Sequence, residues 1–341
     1  PTQGYDQALY YSTYYGTDGV DEATAMALDA EGRAVIVGHT DGDDLPGISG
    51  NAQPARRGGV EAFVVRFNPN AEPHLTYATY YGGNEIDIAT GVGIAPGGQI
   101  WFTGYTSSTD FPVTGQPAYQ SFLRSAYDGF LVQLDLTRPG LDALQYSTYF
   151  GGNSSDIPTG LKINPQDGTV WIVGHTSSSD LETKGNSAQV GFGGGSDAFI
   201  AQFFNTGQTW WLGYSTYIGG PGYEVAYGLT ILPDGRVSLG GYQLSGGLPT
   251  TANAIQSSPS SAFTDAFITT VNPHVAGFEG ITFSSYLGGE FNDVITSMNS
   301  DSSGALIITG YSYSFGLPVT DGSGKTSPAG LSSGFLTKIS Q

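Results

Sequence analysis

The chain has 341 residues with 52 Gly and no Cys, and 11 Lys and Arg against 30 Asp and Glu leave a formal net charge of −19. That balance repels nucleic acid and anionic membrane surfaces, and zero cysteine excludes disulfides, thiol catalysis and thiolate metal sites. Aromatics at 13% and charged residues at 12% describe a β-prone folded chain rather than a disordered one.

The first legible phrase is YSTYYG, from Tyr11. It returns as YATYYG from Tyr77, YSTYFG from Tyr146, YSTYIG from Tyr214 and FSSYLG from Phe283, at an almost constant interval. Each copy is followed by an acid (Asp21, Asp87, Asp156, Glu224 and Asp293), then by an apolar run and a Gly-containing turn. A second apolar run ends at Gly38, Gly104, Gly174, Gly241 or Gly310. A Ser/Thr/Gly/Pro-rich stretch of about twenty residues, long for an ordered β connection, leads to a third run such as AFVVRF or AFIAQF. The next YSTY phrase is the fourth.

Named A to D from the run after the acid, these segments are strand-length, and none carries the 3.6 spacing of a helix. Four antiparallel strands per repeat is the plan of a propeller blade, whose radial arrangement hides sheet edges. The expectation is an all-β, single five-bladed β-propeller domain spanning residues 1–341. Residues 5–16 carry a surplus D strand and the chain finishes on a C strand, so this N-terminal strand is expected to close the last blade, residues 290–341.

The pattern resembles the SBBP family of β-propeller repeats. The resemblance runs over residues 10–341 and rests on YSTYxGG, on DIATG and DIPTG, on GYTSSTDFP at 104–112 and on SDAFIAQF at 196–203. It implies a bacterial extracellular propeller with no single activity; five repeats stand here where the family name counts seven.

Strand direction puts the D–A and B–C connections on one face, and the long B–C loops make it the expected working face. Asp21, Asp87, Asp156, Glu224 and Asp293 would ring the channel mouth there. They are metal candidates, for Ca²⁺ above all, or else acceptors for amides of their own Gly-rich turns. Asp128, Asp197 and Asp265, with Glu61 and Ser333 in the equivalent places, open strand C and read as hydrogen-bond anchors. His39, Tyr105, His175, Tyr242 and Tyr311 end strand B, where aromatic rings suit either sugar stacking or packing between blades.

Differences between blades carry more information than the repeats. Asp44, Asp110 and Asp180 follow strand B in blades 1 to 3, where blades 4 and 5 have Gly247 and Gly316. With His39, Tyr105 and His175 they form the expected ligand site, off the axis toward blades 1 to 3, with affinity moving as His titrates near neutrality. GLSSG at 330–334 and GSGKT at 322–326 match a nucleophile elbow and a phosphate loop only in letters, because neither leads into a helix. The composition and the missing triad favour a secreted or cell-surface binding module for a glycan or protein partner. The alternative is a carbohydrate-active enzyme, a glycoside hydrolase or lyase using carboxylates at the channel mouth.

Overall fold

The computed structural model describes residues 11–48, 51–70, 72–114, 118–207, 209–320 and 330–340. Blade 1 is formed by β1 (Asp21–Leu28), β2 (Ala34–Thr40), β3 (Glu61–Phe67) and β4 (Leu75–Tyr81). Blade 2 contains β5 (Asp87–Ile94), β6 (Ile100–Thr106), β7 (Asp128–Leu134) and β8 (Leu144–Phe150). Blade 3 contains β9 (Asp156–Ile163), β10 (Val170–Thr176), β11 (Asp197–Asn205) and β12 (Trp210–Ile218). Blade 4 contains β13 (Tyr223–Ile231), β14 (Val237–Leu244), β15 (Asp265–Val271) and β16 (Ile281–Leu287). Blade 5 shows three strands among the described residues: β17 (Asp293–Ser300), β18 (Leu306–Ser312) and β19 (Ser333–Ile339). Every sheet is antiparallel, and the fold is a five-bladed β-propeller. The GSGKT segment lies outside the described residues, and GLSSG runs into β19. Among the described residues no helix is long and apolar enough to cross a membrane.

The inner strands β1, β5, β9, β13 and β17 pack in succession, and β5, β9, β13 and β17 each also rest on strands B and C of the blade before. The alternation of the strands places one apolar set on each side of a blade, so the core is divided into seams. Val35, Val37 and Val64 of blade 1 meet Val92 and Phe102 of blade 2 in one seam, and Ile268 of blade 4 meets Ile295 and Met298 of blade 5 in another.

The recurrence of YSTYxG has a physical cause. The tyrosine at the fourth place of the phrase in β4, β8, β12 and β16 aims its hydroxyl at the start of the B–C loop of its own blade. Tyr149 donates to the Ser108 carbonyl at 2.7 Å and accepts from the Phe111 amide at 3.1 Å; Tyr80, Tyr217 and Tyr286 hold blades 1, 3 and 4 likewise. The threonine before it accepts from a Gln amide in the same loop, Gln53, Gln120 or Gln189, with Ser285 serving Gln256. The oxygen of that Gln then receives the amide of the phrase's first glycine, Gly82, Gly151, Gly219 or Gly288. The long loops are therefore tied to the sheet at several points, and these Gln residues were not singled out by sequence pattern.

At the N-terminus the expected closure takes a different form. Residues 5–10 lie outside the described residues, and residues 11–17 form no strand with β19. They lie on blade 1 in the place that each D strand takes on the following blade. The Tyr15 ring contacts Phe63 and Phe67 as Phe150 contacts Phe199 and Phe203, and its hydroxyl reaches the Pro46 carbonyl as that of Tyr81 reaches Pro112.

Candidate functional site

The five acids that open strand A do not face a channel. Each turns into the seam and accepts a backbone amide four residues back: Thr17 to Asp21 and Gly83 to Asp87 at 2.8 Å, Gly152 to Asp156 at 2.7 Å, Gly220 to Glu224 at 2.9 Å and Gly289 to Asp293 at 2.8 Å. Ser108, Ser178 and Ser314 add hydroxyl donors. Asp87, Asp156, Glu224 and Asp293 have no solvent exposure, because the YGG turn folds over them. Among the described residues no three His, Asp or Glu side chains gather in a way that could hold a metal ion.

The C-strand acids are placed beside them. Arg124 donates its amide to Asp128 at 2.8 Å, Gly193 to Asp197 at 2.9 Å and Ser260 to Asp265 at 2.8 Å, while Glu61 takes the Arg57 amide at 2.5 Å. Each blade junction therefore holds two carboxyls, Glu61 with Asp87, Asp128 with Asp156, Asp197 with Glu224 and Asp265 with Asp293, separated by a glycine. A Cβ on Gly151 would sit 2.7 Å from Asp128 Cγ and 2.8 Å from Asp156 Oδ2. Burial disfavours the charged forms and the neighbouring acid adds repulsion. Glu61 is pushed up to about 7, Asp156 and Asp265 to about 6, and Glu224 to about 8. Burial alone carries Asp197 to about 6.

The six residues expected to form the ligand site are dispersed over three blades, and among the described residues no hydrogen bond or ion pair joins any two of them. Asp110 accepts the Asn84 amide at 2.9 Å; Asp180 accepts that of Asn153 at 2.7 Å and pairs with Arg124 at 2.8 Å. These carboxylates fasten the D–A loop to the B–C loop. Asp44 has a left-handed backbone, φ 59°, in the same bend of blade 1. His39 lies half-buried, 3.9 Å from Glu22, and Tyr105 is packed edge-on against Tyr127 at 5.8 Å. Burial pushes His175 down to about 4, so it stays neutral near pH 7 and the expected titration of that imidazole near neutrality does not occur.

Exposed aromatics gather instead at the seam between blades 4 and 5. Each inner strand has a bulge three residues after its acid, filled by Thr24, Thr90, Thr159 and Thr296 in four blades and by Tyr227 in blade 4. Thr24, Thr90 and Thr159 donate to a carbonyl on the next inner strand, at 2.5 to 2.8 Å. Tyr227 replaces that tie with a ring that is 40% exposed and lies 6.1 Å from the Tyr242 ring. Burial and the proximity of Tyr242 and Tyr311 raise its pKa. Tyr311 and Tyr313 are also exposed and meet edge-on at 6.0 Å. On the loops above, Phe263 and Phe291 are exposed and lie 5.7 Å apart. One signal for this site was legible, the single Tyr in a column of Thr; the exposure of the rings was not.

No family model matches the chain, and no curated protein matches it. Among solved structures it is similar to a gluconolactonase from Xanthomonas campestris, at 14% identity over 84% of this chain and 69% of that one, with a TM-score of 0.40. It is similar also to a mannose phosphorylase from Leishmania mexicana, at 11% identity over 86% and 81% of the two chains and a TM-score of 0.38. A third is an α-L-arabinofuranosidase from Lactobacillus brevis, at 11% identity over 84% and 82%, with a TM-score of 0.40.

Proposed function

We propose that the chain is a binding module of a secreted or cell-surface protein, taking a hydroxyl-rich ligand such as a glycan at the seam of blades 4 and 5. The observation that carries this reading is Tyr227, which breaks the Thr column and joins Tyr242 and Tyr311 in one patch of ring faces and phenol hydroxyls. Ring faces stack on the apolar faces of sugars while the hydroxyls exchange hydrogen bonds. A net charge of −19 disfavours anionic ligands. Loops tied down by Tyr and Gln side chains lose little entropy on binding.

The test is a glycan array followed by titration. Tyr227→Thr restores the residue used by the other blades, so the scaffold should survive, and binding should fall by about tenfold or more. Tyr105→Ala should bind as before. Binding kept in Tyr227→Thr and lost in Tyr105→Ala would move the site to blades 1 to 3.

One observation favours the enzyme reading. Glu224, held protonated to about pH 8 beside Asp197 at about 6, is a pair of carboxyls with separated proton affinities, as acid–base chemistry at a glycosidic bond requires. Both are fully buried, so substrate access needs the Gly219 turn to open. Hydrolysis of a panel of aryl glycosides, abolished by Glu224→Gln in folded protein, would establish it; no turnover by the wild type would remove it.

A further inference from the structure

Blades 1 and 5 leave unmade a seam that the chain makes four times. Strand β17 packs on blade 4 and β5 on blade 1, yet among the described residues β1 and blade 5 make no comparable contact. Met26 on β1 is 62% exposed, whereas its equivalents Val92, Leu161, Leu229 and Met298 are buried against the preceding blade. At the other end Leu336 on β19 is 72% exposed, whereas Val64, Leu131, Ile200 and Ile268 are buried against the following one. The two bare faces are therefore the two halves of one interface.

The strand edges tell the same story. The outer edge of β19 has no partner among the described residues, and residues 11–16 lie on blade 1 as a D strand without its C strand. Residues 11–15 pack over the buried Phe63 and Val65 of blade 1, and a cleft of about 510 Å³, lined also by Ala23 and Ile36, opens beside them. Tyr14, equivalent to the tyrosines whose hydroxyls secure the B–C loops, is fully exposed, and the atoms it would hold are the Ser314 carbonyl and the Leu317 amide of a blade 5.

We propose that two copies of this chain join head to tail, blade 5 of one copy packing on blade 1 of the other and taking residues 11–16 as its fourth strand. Within one chain the four packed seams set the curvature and leave blades 1 and 5 apart, whereas a second copy meets both faces without disturbing them. The joint is heterologous and adds a strand to a free edge. Its register follows from the other blades, where Val64 faces Thr79 and Leu131 faces Thr148: Leu336 faces Thr13.

Sedimentation velocity of the wild-type chain should show mass rising above one chain with concentration. Met26→Arg and Leu336→Arg change exposed side chains, so both should stay folded by circular dichroism, and each alone should sediment as a monomer. Mixed together they retain one good face each and should form a dimer that grows no further. The chain has no native Cys, so Thr13→Cys with Leu336→Cys gives a second readout: under oxidation the disulfide should link two chains. A wild type that is monomeric at all concentrations, or a disulfide confined to one chain, would overturn the proposal in favour of a ring closed within the molecule.

Discussion

Thermal unfolding is expected to show the protein more stable near about pH 5 than near about pH 8.5, by a few kcal/mol at least. The cause is the pair of carboxyls at each blade junction. Glu61, Asp156, Asp197, Glu224 and Asp265 have pKa values of about 6 to 8 in the folded chain against ordinary carboxylate values in the unfolded one. The folded state therefore binds more protons than the unfolded state. Stability from these groups is complete below about pH 4 and is lost as pH rises through 6 to 8. Ion pairs nearer the surface such as Asp301 with Lys338 act in the opposite sense at lower pH, but surface pairs contribute little. Glu224→Gln keeps an oxygen for the Gly220 amide and removes the group with the highest of these pKa values, so its melting temperature should fall less between pH 6 and 8.5. A wild-type melting curve that is flat, or rises, over this range would show that the junction acids ionise freely.

Gly104→Ala should be among the most damaging single-methyl additions in the chain, costing about 3 kcal/mol. The bulge between Ala89 and Gly91 drives the Ile88 carbonyl against Gly104, and an added Cβ would overlap that oxygen. Relief requires moving backbone in the middle of the β5–β6 ladder. Gly38, Gly174, Gly241 and Gly310 meet the same carbonyl in their own blades. Gly98→Ala is the comparison: it has φ 83° but open space around it, so it should cost only about 1 to 2 kcal/mol of backbone strain. Chemical denaturation midpoints separate the two. Equal losses would mean that the close approach of the Ile88 carbonyl adds no special demand for glycine within strand B.

These two results bear on how far the sequence could be read. The YSTYxG phrase, the acid after it and the two glycines that follow were visible as a repeat because each answers a local requirement: a loop to be tied, a turn amide to be satisfied, a bulge to be accommodated. The same local pairing explains why Asp110 and Asp180 misled. Their presence in blades 1 to 3 breaks the symmetry, yet they serve to bind the amides of Asn84 and Asn153, with Arg124 added at Asp180, a task that blade 5 gives to Glu290 from the opposite loop, through the Phe315 and Gly316 amides.

The sequence by itself determined the blades, their strands and the inward or outward alternation of each, since period-two patterning and turn chemistry act over a few residues. It also determined the net charge of −19, because net charge needs no fold. Only the tertiary structure decided that the junction acids turn inward in pairs, and that the exposed rings collect between blades 4 and 5. It also decided that Met26 and Leu336 stand bare while their equivalents are buried. Those outcomes depend on which blade faces which across a seam, and strand patterning is the same whether a neighbour is there or not.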